Sequence, residues 1–200
     1  MIINETKRNE WNLYWNSRRT SKINFFRVIY FSKVFANLVE SLTPGKRILE
    51  VGCGTSMILK QLMKRGFEVY GCDKSSMAIQ MSRKSGIPNL KLCDMLDKNG
   101  LPYENGYFDI VFSQGVMEHL KREDFRTVLH EMKRVGKMVL IIVPSNRSIF
   151  QVFYPFGKKK DEVFFSENIL HQSLSRELTC VNVKYMPSTF YLSIAGWGRA

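Results

Sequence analysis

Glu50, Asp73, Asp94 and Gln114 each stand at or near the end of a short apolar run, and two glycines accompany the first of them. Glu50 lies in Ile48-Leu49-Glu50-Val51, which leads into Gly52-Cys53-Gly54-Thr55-Ser56. Asp73 follows the run Phe67 to Cys72, Asp94 follows Leu90 to Cys93, and Gln114 follows Phe108 to Ser113. Glycines spaced by one residue after a buried strand let the main chain turn sharply and let a ligand approach it closely. Ionised carboxylates only accept hydrogen bonds, so they suit a ligand carrying adjacent hydroxyls or positive charge. Glu118-His119-Leu120 comes just after the last of these runs. A neutral imidazole there could take a proton from a hydroxyl, which makes His119 the candidate general base. The alternative is a turn whose histidine only packs or hydrogen-bonds.

The elements that must position these residues follow from periodicity. Strands are expected at Arg47 to Val51, Phe67 to Cys72, Leu90 to Cys93, Phe108 to Phe112 and Lys137 to Val143. Helices are expected at Ser56 to Arg65, after Ser75 or Ser76 through Met81, and at Glu123 to Val135, where Phe125, Val128, Leu129, Met132 and Val135 form one stripe. Strand and helix alternate five times in this reading. Short apolar strands joined by helices predict a doubly wound α/β fold, with the ligand beyond the C-terminal strand ends. Before the core, residues 5–19 carry Trp11, Tyr14 and Trp15 at helical spacing, and residues 24–42 predict a second, more deeply buried helix ended by Pro44-Gly45. After Pro144, a helix from Ser166 to about Leu178 precedes two strands, Cys180 to Tyr185 and Phe190 to Ala195, expected as an antiparallel hairpin at one edge.

Two hundred residues suit one domain, divided as a helical lead-in (1–45), a ligand-binding core (46–143) and a substrate-side segment with edge strands (144–200). The N-terminus is too polar for a signal peptide, and no apolar run is long enough to span a membrane. Cys53, Cys72, Cys93 and Cys180 form no CxxC pair. Reduced thiols in a cytoplasmic protein, without a metal site, are expected. The net charge of +12 is concentrated in residues 1–47, which carry +6 of it. Such a surplus attracts polyanions, or simply keeps the chain soluble.

A dinucleotide fingerprint needs a third glycine, but Thr55, Ser56 and Met57 follow Gly54; a phosphate-binding GK[ST] is also missing. The ordered set Ile48 to Ser56, Asp73, Asp94, Phe108 to Gln114 and Glu118 to Leu120 instead resembles the class I S-adenosylmethionine-dependent methyltransferases, over about residues 46–143. The closest look is to the branch acting on small molecules. The resemblance implies a mostly parallel seven-stranded sheet with an antiparallel C-terminal edge hairpin. It implies S-adenosylmethionine as cofactor and S-adenosylhomocysteine as product. It implies that Glu50, Gly52, Cys53 and Gly54 hold the methionine part, that Asp73 with Lys74 beside it meets the ribose, and that Asp94 and Met95 meet the adenine. Gln114 is implied at the aminoacyl end. Ser56 departs from the pattern, where the family more often has glycine.

The resemblance also implies that lead-in residues such as Tyr14 and Arg18 close over the cofactor; a docking helix is the plainer alternative. The stretch Ile149 to Phe156 with Lys158-Lys159-Lys160 reads three ways: core packing, a lid over an apolar acceptor, or a patch (Phe150 to Lys160) that touches an anionic membrane surface. The leading expectation is methyl transfer to a small, partly apolar acceptor. The alternatives are RNA or protein methylation through the basic lead-in, and a domain that binds the cofactor without catalysis. Against nucleobase chemistry, Ser113-Gln114-Gly115-Val116 replaces the motif expected after the fourth strand.

Overall fold

The computed structural model describes residues 10–15, 22–146, 163–189 and 193–200, with only the backbone over 22–28. Residues 10–15 are helical. Then come α1 (Lys22–Leu42), β1 (Arg47–Val51), α2 (Met57–Met63), β2 (Glu68–Asp73), α3 (Ser76–Lys84) and β3 (Asn89–Leu92). The second half holds β4 (Ile110–Gln114), a 3-10 turn (Met117–His119), α4 (Arg122–Val135), β5 (Met138–Pro144), α5 (Glu167–Leu174), β6 (Thr179–Tyr185) and β7 (Ser193–Arg199).

One seven-stranded sheet runs in the order β3-β2-β1-β4-β5-β7-β6. The first five strands are parallel, and β7 is antiparallel to both neighbours. β5 reads Met-Val-Leu-Ile-Ile-Val-Pro with its central five residues buried, as a strand covered on both faces must. On one face pack Phe35, Ala36 and Val39 of α1, Ile58, Leu59 and Leu62 of α2, and Ile79 of α3. On the other pack the α4 stripe, with Leu170 and Leu174 of α5. The strand order reverses between β1 and β4, so the crevice for a ligand opens at the C-terminal end of β1.

Three expectations change. The β3–β4 connection contains no α-helix, so the strict alternation stops there. Met95, Leu101, Tyr103 and Tyr107 fill that space instead. Arg134 of α4 pins the connection by donating to the carbonyls of Leu101 (2.8 Å) and Tyr103 (2.9 Å) and to Asn105 Oδ1 (2.9 Å). Second, β7 continues to Arg199, beyond the expected end at Ala195, and lies between β5 and β6, so that β6 is the outer strand of the expected edge hairpin. Gly196 and Gly198 lower its apparent strand propensity, yet Met138 pairs with Arg199. Third, β4 is Ile110–Gln114, two residues later than expected, with Phe108 making only an isolated bridge to Gly136. Helix ends differ by smaller amounts: α2 begins at Met57, and α5 ends at Leu174. Phe150 to Lys160 and Arg18 lie outside the described residues. Among the described residues no helix is long and apolar enough to cross a membrane.

Candidate active site

At the end of β1 the chain turns through Gly52 (φ 74°) and Gly54 (φ 51°). The N–H groups of Gly52 and Cys53 both donate to the Cys72 carbonyl, at 2.8 and 3.0 Å. A side chain fits at neither glycine. A Cβ on Gly52 would fall 2.6 Å from Val116 Cγ2, and one on Gly54 would fall 2.5 Å from Trp15 Cζ2. The left-handed backbone and the absent Cβ are therefore both required here.

Ser56 also adopts the left-handed conformation (φ 56°). Its side chain does not cap α2; it donates to Ser82 Oγ at 2.9 Å, and Ser82 Oγ donates to the Gly54 carbonyl at 2.9 Å. A left-handed residue that is not glycine costs about 1–2 kcal/mol, which this relay offsets while fastening the loop to α3. The departure from glycine thus has a structural use.

Asp73 is bound on both oxygens. Gly54 N donates to Oδ2 and Ser75 N to Oδ1, each at 2.8 Å. Burial still holds its carboxyl above the usual aspartate range, against the pull of those amides. Each oxygen retains acceptor capacity for a hydroxyl. Ser75 caps α3, accepting from Ala78 N at 3.2 Å.

Glu50 is only 3% exposed, and its Oε2 has no hydrogen-bond partner among the described residues. Burial, and then the neighbouring Asp73, push its carboxyl well above the ordinary range. An unpartnered buried carboxylate oxygen costs stability unless a donor or cation meets it. In a chain of net charge +12, two buried acids on the neighbouring strands β1 and β2 form a local site for positive charge.

The remaining predicted residues are distributed around this cradle. Met95 is buried, its Cε 3.4 Å from where a Cβ on Gly52 would stand, which brings the end of β3 to the glycine turn. Asp94, half-buried, accepts from Leu96 N at 3.1 Å and so shapes its own turn. Gln114 is half-buried at the end of β4. The Lys74 ammonium lies 5.9 Å from the ring centre of Trp11, and its charge pulls the Asp73 carboxyl down against the effect of burial. Cys53 is buried against the opposite face, and burial raises its thiol pKa.

The helical residues 10–15 cover the cradle. Asn12 Oδ1 accepts from Ser75 Oγ (2.7 Å) and Met77 N (3.4 Å). Trp15 lies against Gly54, and Trp11 meets His119 edge-on at 5.4 Å. Tyr14 links them, 5.3 Å from Trp11 and 5.2 Å from Trp15. His119 thus ends the 3-10 turn as part of an aromatic wall. Sequence reasoning singled out Tyr14 but missed Asn12, Trp15 and Val116. The aromatic spacing of residues 11–15 was the available signal for Trp15; for Asn12 and Val116 there was none.

Residues 49–139 match the family described as a methyltransferase domain. The chain is 27% identical over 132 residues to "Probable tRNA methyltransferase 9B" of Bos taurus, covering 66% of this chain and 26% of that protein. It is 27% identical over 144 residues to the mitochondrial ubiquinone biosynthesis O-methyltransferase of Schizosaccharomyces pombe, covering 69% and 52%. Magnesium protoporphyrin IX methyltransferase from Synechocystis PCC 6803, with bound S-adenosylhomocysteine, superimposes with a TM-score of 0.69 at 15% identity, covering 98% and 96%. The sheet order and the glycine turn beneath two buried acids define a methyltransferase fold. Over residues 49–139 the chain is similar to the class I S-adenosylmethionine-dependent methyltransferases, and it shares their fold. It spans about a quarter and about half the length of the two curated relatives. The family's cofactor fits this cradle, because a sulfonium and an ammonium answer the unpartnered Glu50 oxygen and the glycine turn admits close approach.

Proposed function

We propose that this chain transfers a methyl group from S-adenosylmethionine to a small, partly apolar acceptor. The observation that carries the cofactor half is the buried, unpartnered Glu50 oxygen beside Asp73. Glu50 and the Gly52–Gly54 backbone hold the cationic aminoacyl end, and Asp73 accepts from the ribose hydroxyls. Asp94 and Met95 meet the adenine, and Gln114 closes the aminoacyl end. The bound cofactor supplies a methyl group already activated by positive sulfur. The protein's task is to hold a nucleophile in line with it and keep water out, which alone can supply much of the acceleration.

The aromatic wall of Trp11, Tyr14, Trp15 and His119 supports the acceptor half. Rings at edge-to-face spacing offer flat apolar surface to a ring or alkyl acceptor. In this reading His119 accepts the proton that an oxygen or nitrogen nucleophile loses. The test is turnover of S-adenosylmethionine with panels of phenols, amines and short RNA. A Trp11→Ala variant should raise KM for the acceptor with little change in cofactor affinity. Turnover with RNA alone would replace this reading with the one favoured by the +12 charge.

A further inference from the structure

Two thiols stand directly before the two acids assigned to the nucleoside. Cys72 precedes Asp73 at the end of β2, and Cys93 precedes Asp94 just beyond β3. Cys72 pairs with Lys91 in the parallel ladder. Side chains alternate along a strand, so Cys72, Lys91 and Cys93 share one face. The ladder continues past β3, where Cys93 N donates to the Asp73 carbonyl at 2.9 Å. On that face Cys93 packs against the buried cluster that contains Cys72.

Their environments differ. Cys72 is 1% exposed, whereas Cys93 is half-buried and within reach of solvent. The interaction between the two thiols, and then burial, raises the Cys72 thiol, and the same interaction lowers Cys93 below the ordinary thiol range. The accessible sulfur is thus the better nucleophile, and the buried one stands ready to resolve it. Tyr103 packs on the same cluster with its hydroxyl buried and without a hydrogen-bond partner, a spare donor beside the sulfurs. Cys180 is exposed and lies on β6, at the opposite edge of the sheet from β3.

We propose that Cys72 and Cys93 form a peroxide-sensitive disulfide site that weakens cofactor binding when oxidised. The Cys93 thiolate attacks one oxygen of hydrogen peroxide; an S–O bond forms, the O–O bond breaks, and hydroxide leaves. The Cys72 sulfur then attacks the Cys93 sulfur. The S–S bond forms, the S–O bond breaks, and the departing hydroxide takes the Cys72 proton as water. Two thiols are oxidised by two electrons and one peroxide is reduced to two waters. A small thiol reverses the step by exchange.

The coupling to the cradle is geometric. Diagonal neighbours on adjacent strands lie about 7–8 Å apart, whereas a disulfide prefers Cα atoms about 5.5–6 Å apart. Closing the bond therefore draws the end of β3 toward β2 and displaces Asp94 relative to Asp73. This part rests on the assignment of those acids to the nucleoside. By reciprocity, bound S-adenosylhomocysteine slows closure or shifts it unfavourably.

The full chain, reduced and then treated with hydrogen peroxide, is alkylated, digested and mapped by mass spectrometry, with S-adenosylhomocysteine affinity measured on the same samples. The expected product is a linked Cys72–Cys93 peptide, present in Cys180→Ser, absent in Cys93→Ser and reversed by dithiothreitol. Affinity should fall about tenfold or more on linkage and recover on reduction. Oxidation confined to Cys180, or Cys93 driven to sulfinic acid without a link, overturns the proposal. A complete link with unchanged affinity overturns the coupling. If the reduced chain binds no S-adenosylhomocysteine, the cofactor assignment fails, while the peptide map still decides the disulfide.

Discussion

The Gly54 amide donates to Asp73 Oδ2 at 2.8 Å, tying the turn after β1 to the end of β2. One carboxylate thereby shapes the loop that lines the cradle and faces the cradle itself. Asp73→Ala should cost stability as well as affinity, because two buried amides lose their acceptor. A loss of about 1–3 kcal/mol in denaturant unfolding is expected, together with at least about tenfold weaker S-adenosylhomocysteine binding. An affinity loss without any stability loss would mean that the amides find other partners.

Ser56 offers a sharper comparison. Ser56→Ala keeps the left-handed strain and removes the hydrogen bond to Ser82, whereas Ser56→Gly removes both. The alanine variant should be the less stable of the two, by about 1 kcal/mol. Thermal unfolding of the pair reads the difference directly. Equal stabilities would show that the Ser56 backbone is not strained.

The clamp on the β3–β4 connection depends on charge. Arg134 forms a two-pronged pair with Glu131, at 2.9 and 2.8 Å, and Glu131 Oε2 also accepts from Leu101 N at 2.8 Å. The bond from Arg134 holds the Glu131 carboxyl below its ordinary range. The unfolded chain therefore binds the proton more readily, so this contribution is complete above the ordinary glutamate pKa and is lost as pH falls through the folded value. Glu131→Ala should cost about 1–3 kcal/mol at neutral pH, and less in acid. Hydrogen exchange should show residues 100–106 opening first in the variant.

Much of this was legible in the sequence. Apolar runs ended by Glu50, Asp73 and Gln114 marked β1, β2 and β4 because a doubly covered parallel strand has few other ways to be written. In the β3–β4 connection, Leu101 to Gly106 were readable as loop, but not that Tyr103 and Tyr107 fill the core there, held by an arginine one helix away. β7 misled because glycines interrupt its alternation while pairing with β5 holds it in register. Around the site, short-range chemistry was readable: glycines that must turn, and a serine that caps α3. Contacts made at long range were not. Asn12 reaches Ser75 across 63 residues, and Val116 reaches Gly52 only because the sheet brings β1 and β4 together.

The central claim is that Glu50 is held buried and unpartnered in order to meet a cation. Its carboxyl is raised by burial and by Asp73, so between the ordinary and the raised pKa the folded chain binds the extra proton. Stability falls as pH rises through that window. Glu50→Gln, which cannot ionise, should be as stable as the parent or more so at neutral pH. Binding of a cation lowers the Glu50 pKa, so calorimetry of S-adenosylmethionine in buffers of different ionisation enthalpy should show proton release at pH values below the raised pKa. Glu50→Gln should abolish that release and weaken binding about tenfold to a hundredfold, as expected for a hydrogen bond to a charged group. Equal affinity of Glu50→Gln and parent for S-adenosylmethionine, with no difference in protons released, would contradict it.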